Sequence, residues 1–430
     1  MDNQSENLTR RKLHQKPVKK RHIWRYIILA IVAIFVASGA GYLYYTYSSA
    51  RSALNKSYVN LNKKNFKSAR NVSQVLKDGK PISILLLGTD TGSLDRTYTG
   101  RTDSIMVATI NPKTKTTTLM SIPRDSMVSI PNSANTSFQF PQKINAAYEF
   151  PGNGKGHPET TISTVQKFLN IPIDFYALIN MGGLKTMINK VGGIKVKSPL
   201  TFTYQPSHKA YTYKFFKGKT SYQYAKDGIN FKTYHVMNGK AALAFSRMRY
   251  TDPQGDYGRQ KRQRLVLTAL AKESSTLSSL LTPGFFETMT KNVQTSLSFN
   301  DLVTIASTYK IATKTIKSDH MQGTSYNYNG VAYEVIKTSE KQRVTNVIRK
   351  SLGLSSAKTG ARFGGTVSNN ISIPDSEATL TAATDAARDG NSSSSSTSSS
   401  SSSSTVTTSS SSTVTTSSSS TVTTSSSASN

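Results

Sequence analysis

A run of 22 residues without a charged side chain, from Tyr26 to Tyr47, constrains this chain more than any other feature. At about 1.5 Å of rise per residue, a helix of that length crosses a hydrocarbon core of roughly 30 Å. Residues 1–25 carry eight Lys and Arg against two acids, and positive charge beside a span keeps that end in the cytoplasm. The sequence therefore predicts a single-pass protein of the cell membrane whose bulk is extracytoplasmic.

A cleaved signal peptide is the alternative for the same segment, because the small residues Ala37 to Ala40 resemble a peptidase site. The apolar core of a signal peptide is shorter, usually about 7–15 residues. We therefore favour a transmembrane helix over residues 26–47.

The chain has 54 Lys and Arg against 23 Asp and Glu, a net charge of +31, and no cysteine. Without cysteine there is no disulfide framework, thiol catalysis or Cys-ligated metal. Such a positive charge suits nucleic acid, an anionic membrane or an anionic substrate. The predicted topology leaves only residues 1–25 in the cytoplasm, and they contain no helix-turn-helix pattern, so we expect no nucleic-acid partner.

Composition divides the remaining chain into four segments. We expect a polar juxtamembrane stalk over 48–80, an α/β domain over 81–316 and a C-terminal extension over 317–358. Residues 359–430 are expected to be disordered, since 391–430 are almost entirely Ser and Thr and bury too little apolar surface to offset the entropy of ordering. Whether this tail is a wall-embedded stalk or inert stays open.

Apolar runs and helical periodicity predict the fold class of residues 81–316. Strands are predicted at 82–88, 104–110, 116–122 and 175–179 and within 201–217, and helices at 144–150, 160–169, 182–191, 239–246, 257–281 and 300–316. The turn at 111–114 predicts a hairpin between the second and third strands. Strands interleaved with helices therefore predict a mixed central β-sheet flanked by helices.

Two acids flank the turn between the first two predicted strands. Asp90 follows the first strand, and Asp103 directly precedes the second. Ligands of open α/β sheets bind just outside strand ends, and carboxylates there could share a hard cation such as Mg²⁺. Asp at a turn or strand edge is usually structural, so spacing alone does not establish a metal site.

The densest group of basic residues lies between Phe245 and Arg264. Alternation predicts Arg247 and Arg249 on one side of an extended segment, and Arg259 and Gln263 lie four apart on one face of the next helix. Converging guanidinium groups would bind phosphate or pyrophosphate in a bidentate manner. The neighbouring basic residues of that helix are expected only to solvate it; they are Lys261, Arg262 and Arg264.

Other common catalytic motifs are missing from the sequence. It contains no Gly-x-x-x-x-Gly-Lys-Ser/Thr loop, no His-Glu-x-x-His and no Gly-x-Ser-x-Gly, and its six histidines are scattered singly. The chemistry that remains is carboxylate, Mg²⁺ and arginine acting on phosphate.

Five segments together resemble the LytR-CpsA-Psr family; they are Ile84–Asp90, Gly100–Asp103, Ser121–Asp125, Lys143–Tyr148 and Arg247–Gln263. The resemblance implies an α/β domain outside the membrane that moves a secondary glycopolymer, such as wall teichoic acid or capsular polysaccharide, from undecaprenyl pyrophosphate to peptidoglycan. The new bond would be a phosphodiester, by family analogy at the C6 hydroxyl of N-acetylmuramic acid. A polyprenyl-pyrophosphate sensor or hydrolase using the same site is the alternative.

The resemblance also implies roles for individual residues. Asp90 and Asp103 are the expected ligands of Mg²⁺, or of Mn²⁺ in its place. The expected pyrophosphate-binding set is Arg101, Arg124, Lys143, Arg247, Arg249, Arg259 and Gln263. Arg101, Arg124 and Asp256 are the expected catalytic residues, with Asp256 either orienting Arg259 or acting as base. Residues 132–142 and 205–236 look like lineage-specific loops, which leaves the polymer and acceptor specificity open.

Overall fold

The computed structural model describes part of the chain, namely residues 44–45, 47–49, 51–52, 55–61, 68–90, 100–130, 140–150, 155–273, 292–367 and 373. The predicted cytoplasmic segment, nearly all of the predicted transmembrane helix and the Ser/Thr tail lie outside these residues. Within them, no helix combines the length and the hydropathy needed to cross a membrane.

Strands and helices alternate along the described residues. The strands are β1 (Ile82–Thr89), β2 (Thr102–Asn111), β3 (Thr116–Ile122), β4 (Met127–Val128), β5 (Gln142–Lys143), β6 (Phe175–Asn180), β7 (Phe202–Tyr204), β8 (Thr212–Phe215), β9 (Tyr222–Ala225), β10 (Lys232–Tyr234), β11 (Val293–Thr295), β12 (Thr315–His320), β13 (Thr324–Tyr328) and β14 (Val331–Val335). The helices are α1 (Val72–Lys77), α2 (Pro158–Leu169), α3 (Met181–Lys190), α4 (Gly239–Arg247), α5 (Gly255–Glu273), α6 (Phe299–Thr304) and α7 (Thr338–Ser351), with a 3₁₀ helix at Ile144–Tyr148.

The central sheet has six strands in the order β11-β6-β1-β2-β3-β12. β1 pairs antiparallel with β2 and parallel with β6, β2 and β3 form the predicted hairpin, and β12 lies parallel to β3. The predicted mixed sheet flanked by helices is confirmed.

The central strands are buried on both faces, which explains their continuous apolar sequences. Side chains alternate along β1, so Leu85 and Leu87 join one core cluster, and Ile82 and Ile84 join another on the opposite face. Helices α2 and α7 supply the first cluster with side chains, while α1 supplies the second. Burying each such aliphatic side chain contributes about 1.5–3 kcal/mol, so the sheet is a rigid support for the loops at its ends.

The helix predicted over 300–316 is confirmed as far as Thr313, but Thr315 and Ile316 belong to a strand. Helix α6 ends at Thr304, irregular helical turns continue to Thr313, and Thr315–His320 form the edge strand β12. Most of β12 is partly exposed, so it lacks the apolar run that marks a central strand. Because β12 belongs to the central sheet and α7 places Val344 and Ile348 in the main core, much of the expected extension packs with the domain before it.

The strands predicted within 201–217 are confirmed by β7 and β8, while the expectation that residues 205–236 are loops is wrong. They contribute to a second sheet of four antiparallel strands, in the order β10-β9-β8-β7. Its aromatic side chains pack with α3, α4 and α5 around a separate core. The other expected loop, 132–142, lies almost wholly outside the described residues.

Candidate functional site

The ends of β1, β2 and β3 bring the first charged residues together. Gly88 pairs with Ser104 and Thr89 with Thr102, which leaves Asp103 as the extra residue of a β-bulge inside β2. A bulge bends its strand and redirects a side chain. The Asp103 carboxylate forms an ion pair with Arg124, two residues beyond the end of β3.

Arg124 is surrounded by three carboxylates. Besides Asp103, its Nε lies 3.4 Å from Oδ2 of Asp125 and 3.8 Å from Oδ1 of Asp256. Burial lowers the pKa of Arg124, but attraction to these three acids outweighs burial and raises it. Lys143, in β5, pairs with Asp125 at 2.9 Å. Arg124 is therefore held as a fixed positive charge.

Helix α5 brings the next pair to this cluster. Nη2 of Arg259 lies 2.6 Å from Oδ1 of Asp256 and donates a hydrogen bond to the backbone oxygen of Asp103 at 3.3 Å. Asp256 also accepts a hydrogen bond from Gln260 at 2.9 Å. Burial lowers the pKa of Arg259, Asp256 opposes this, and the charge of Arg124 adds to the lowering. Two guanidinium groups thus share one half-buried space.

Unpaired polar atoms concentrate at this point. Across the described part of the chain, seven buried side-chain atoms lack an aligned hydrogen bond. Five of them belong to this cluster, namely Arg124 Nε, Asp256 Oδ1, Arg259 Nε, Gln260 Oε1 and Gln263 Oε1. Unmade hydrogen bonds of buried groups cost about 1–3 kcal/mol each. A bound anion would complete the two Nε donors of Arg124 and Arg259, while the three oxygens are acceptors that a hydroxyl or water would complete.

Arg247 and Arg249 do not lie on an extended segment as predicted. Helix α4 includes Arg247 as its last residue, and Arg249 stands in the turn that follows. The charge of Arg249 still reaches Arg259 and contributes to lowering its pKa. Burial raises the pKa of Tyr204 in the second sheet, and the charge of Arg247 opposes this. The structure therefore brings Arg249 to the cluster and places Arg247 at its border with that sheet.

Arg101 directly precedes β2, and Asp90 directly follows β1. The Arg101 side chain is half exposed and its Nε lies 2.6 Å from Oε1 of Glu149. Its charge reaches Tyr333, whose ring centroid lies 5.8 Å from Nζ of Lys143. Asp90 is partly buried.

The metal ligands expected from the sequence lie at strand ends, since Asp90 follows β1 and Asp103 lies in the bulge of β2, where it pairs with Arg124. No three His, Cys, Asp or Glu side chains within the described ranges are grouped to hold a metal ion. Mg²⁺ usually takes only one or two protein carboxylates and completes its shell with water and substrate phosphate. Two hard oxygen donors at the ends of paired strands, beside a cluster with unfilled anion contacts, fit such an ion.

Arg262 contradicts the expectation that it solvates the helix, because none of its side chain is exposed. It forms an ion pair with Asp252 and donates hydrogen bonds to the backbone oxygens of Phe245 and Met248. A Cβ at Gly258 would overlap the Asp252 carboxylate, so glycine is needed for this approach. The pair ties α5 to the end of α4.

Arg264 contradicts the same expectation. It is 5% exposed and donates to Oγ of Ser121 at 2.7 Å and to Oγ of Ser318 at 2.8 Å. Burial lowers its pKa to about 10. Because these serines lie in β3 and β12, Arg264 fixes α5, and with it Arg259, against the central sheet.

Glu334 contacts the cluster and was not identified from the sequence. The backbone N–H of Glu334, in β14, donates to the backbone oxygen of Asp125 at 2.8 Å. Oε2 of Glu334 accepts a hydrogen bond from the Tyr257 hydroxyl, also at 2.8 Å. Burial raises the pKa of Glu334, and the charges of Asp125 and Asp256 raise it further. A lone acid within the apolar run of β14 was the available signal.

The model of the LytR_cpsA_psr family matches residues 43–350. This chain belongs to that family. The matched range includes every residue placed in the cluster above.

Similar proteins support this family membership. The polyisoprenyl-teichoic acid–peptidoglycan teichoic acid transferase TagU of Enterococcus faecalis is 36% identical over 333 residues, covering 76% of this chain and 96% of the relative. TagU of Bacillus subtilis is 33% identical over 335 residues, covering 78% and 97%. The expectation of an enzyme of the transferase class is confirmed by these relatives.

The fold agrees as well. A crystal structure of a Streptococcus agalactiae protein superposes with a TM-score of 0.56 at 32% identity, covering 69% of this chain and 95% of that one. Its coverage shows that nearly the whole of that protein corresponds to the described domain.

Proposed function

We propose that this chain transfers an anionic wall glycopolymer, such as a teichoic acid or a capsular polysaccharide, from a polyprenyl-pyrophosphate carrier to peptidoglycan. The observation that carries the proposal is the cluster of Arg124 and Arg259, whose buried Nε atoms lack hydrogen-bond partners. The TagU relatives, similar over nearly their entire length, support the same substrate class.

The cluster suits a pyrophosphate. Guanidinium groups match phosphate oxygens with parallel N–H donors, and Arg124 and Arg259 are fixed by carboxylates before substrate binds. Arg249, Lys143 and Gln263 add donors around them, and Arg101, which directly precedes β2, adds another. Donors held in place before the reaction stabilise charge that develops on phosphoryl oxygens.

The reaction we propose is a displacement at phosphorus. The oxygen of a peptidoglycan hydroxyl attacks the phosphorus that carries the glycan, the bond to the bridging oxygen breaks, and polyprenyl monophosphate leaves. The proton of the hydroxyl goes to solvent water, and a phosphodiester forms. Because Asp256 is already paired with Arg259 and hydrogen-bonded by Gln260, its geometry supports orienting Arg259 more than acting as base.

A divalent cation, Mg²⁺ or Mn²⁺, belongs to the proposal. Asp90 and Asp103 would hold it, and it would neutralise phosphate charge. We also propose that residues 26–47 anchor the protein in the cell membrane, with the N-terminus cytoplasmic and the catalytic domain outside. The uncharged run and the basic residues before it support this placement.

Product analysis tests the proposal. The full-length chain in nanodiscs is incubated with a polyprenyl-pyrophosphate-linked glycan, peptidoglycan fragments and Mg²⁺, and products are resolved by mass spectrometry. We expect wall-linked glycan and polyprenyl monophosphate in equal amounts, and a Lys261→Ala control with wild-type activity. Release of polyprenyl monophosphate without wall-linked glycan contradicts transfer and supports the hydrolase alternative.

A further inference from the structure

The second sheet carries a row of tyrosines on one face. Strand pairing places Tyr204 beside Tyr213, Tyr213 beside Tyr224, and Tyr224 beside Lys232. Tyr211, two residues before Tyr213, shares that face. We call Tyr204, Tyr211, Tyr213 and Tyr224 the tyrosine surface.

Three rings of the tyrosine surface, those of Tyr211, Tyr213 and Tyr224, form a continuous group. The centroid of Tyr213 lies 4.7 Å from that of Tyr224 and 6.0 Å from that of Tyr211, and Tyr211 and Tyr224 are 6.5 Å apart. Tyr213 is buried at the base, while Tyr204, Tyr211 and Tyr224 are only partly buried. Rings held in strands lose little conformational freedom when they bind a ligand.

A row of phenylalanines lies next to the tyrosine surface on the same face of the sheet. Phe202 pairs with Phe215, and both contact the ring of Phe245 in α4, at centroid distances of 5.9 and 5.2 Å. That row is core. The tyrosine surface lies one step further along the strands, where Tyr204, Tyr211 and Tyr224 pack against the edge of this core and stay partly exposed.

The surroundings of the tyrosine surface are basic. Residues 202–234 contain six lysines and a single acid, Asp227. Lys232 ends the tyrosine row, and Lys209 lies in the loop between Tyr204 and Tyr211. Residues 205–210 of that loop line a depression of about 440 Å³. Aromatic faces, flexible cations and a polar hollow therefore occur together.

Arg247 lies between this surface and the arginine cluster. It is the last residue of α4, and its charge acts on the hydroxyl of Tyr204. Arg249, two residues further, already acts on Arg259. A chain bound at the cluster could thus continue along the second sheet.

We propose that the tyrosine surface is a saccharide-binding platform that holds the phosphate-bearing glycan of the lipid-linked substrate. This rests on the proposed function. The C–H face of a sugar packs on the electron-rich face of an aromatic ring, and Lys209 and Lys232 pair with phosphates along the polymer. The platform guides the polymer away from the reacting pyrophosphate and selects long, sugar-bearing substrates.

Binding to soluble polymers tests the platform without any need for turnover. The probes are glucosylated poly(glycerol phosphate) and the same polymer without sugars, and the protein is the full-length chain in nanodiscs. The test variant is Tyr211→Leu with Tyr224→Leu, which keeps apolar volume but removes the ring faces. Tyr211→Phe with Tyr224→Phe keeps the rings. The matched control, Thr203→Ala with Gln223→Ala, changes the opposite face of the same strands.

We expect the leucine variant to bind the glucosylated polymer at least tenfold more weakly than wild type, and the phenylalanine and control variants to bind it as wild type does. The polymer without sugars should bind wild type more weakly and be insensitive to the leucine changes. Equal binding of both polymers by wild type, or unchanged binding by the leucine variant, overturns the platform.

Two further measurements distinguish this proposal from a membrane contact and from the proposed function. Hydrogen exchange of residues 202–234 should slow when the glucosylated polymer is added. If phosphatidylglycerol in the nanodisc slows the exchange and the polymer does not, the surface is a membrane contact and the proposal is overturned. Transfer by wild type is measured in parallel. Failure of transfer contradicts the proposed function alone, while transfer with no difference between variants contradicts the platform alone.

Discussion

Arg259 and Asp256 lie three residues apart on α5, with 2.6 Å between guanidinium and carboxylate. The same nitrogen of Arg259 donates to the backbone oxygen of Asp103 at 3.3 Å. This one arginine therefore links α5 to the bulge of β2 that holds an expected metal ligand. Positioning of the phosphate-binding groups and of the metal donors is coupled through it.

Arg259→Lys tests that coupling. Lysine keeps the charge but has neither the parallel donors nor the reach to contact both Asp256 and Asp103. We expect kcat to fall about 10²–10³-fold, the size seen when one fixed donor to a transition state is removed. Transfer assays under saturating substrate measure it, with Lys261→Arg on the same helix as control. A decrease in kcat of less than threefold would contradict a role for the paired donors of the Arg259 guanidinium.

Arg249→Ala and Asp103→Ala should each abolish transfer while leaving the fold intact. Arg249 contributes charge beside Arg259, and Asp103 pairs with Arg124 and is an expected metal ligand. The assay is formation of wall-linked glycan, and circular dichroism and thermal melting report on folding. Wild-type turnover by either variant refutes the site assignment.

Removal of divalent cations should stop transfer. EDTA treatment should lower the rate to background, and adding Mg²⁺ or Mn²⁺ should restore it, since one or two carboxylates bind such ions weakly enough to be stripped. Asp90→Asn should raise the Mg²⁺ concentration needed for half-maximal rate. Full activity in EDTA would exclude a dissociable metal.

Arg262→Ala should be strongly destabilising. The change leaves Asp252 with a buried, unpaired charge and frees the carbonyls of Phe245 and Met248. Breaking a buried ion pair in this way costs about 3–5 kcal/mol of unfolding free energy. Urea denaturation measures it, and the neighbouring Lys261→Ala should change stability by less than about 0.5 kcal/mol. Equal midpoints for the two variants would show that the pair is dispensable.

Glu334 should make the folded state less stable as pH rises. Burial, with Asp125 and Asp256 nearby, raises its pKa above 4.5, so the folded state binds more protons than the unfolded chain between 4.5 and the raised value. Stability therefore falls with rising pH across that window. Glu334→Gln keeps an acceptor for Tyr257 and should flatten this part of the profile. An unchanged slope in denaturation curves from pH 4 to 8 would contradict a raised pKa.

The sequence was sufficient for the parts of the fold that carry a local signal. β1, β2 and β3 are buried on both faces, so each is a visible apolar run, and α2 and α4 have clear periodicity. Residues at the ends of those strands, Arg124 among them, could be placed near one another because strand ends of one sheet meet at its edge.

What was missed depends on partners distant in sequence. Arg262 and Arg264 look like solvated residues in the sequence. Their partners are far along the chain or in another element: Arg262 pairs with Asp252, and Arg264 donates to Ser121 and Ser318. β12 is a polar edge strand, recognisable only by its pairing with β3. Glu334 reaches Asp125 through a hairpin more than 200 residues later in the chain.

The fate of one phosphorus atom tests the central claim most directly. A lipid-linked glycan is labelled at the phosphate that joins it to the carrier pyrophosphate, and the full-length protein is given this substrate with peptidoglycan. The account predicts that the label moves, together with the glycan, into a phosphodiester on peptidoglycan, leaving unlabelled polyprenyl monophosphate. Label found instead in free glycan phosphate, with none on peptidoglycan, would contradict a transferase and show a hydrolase.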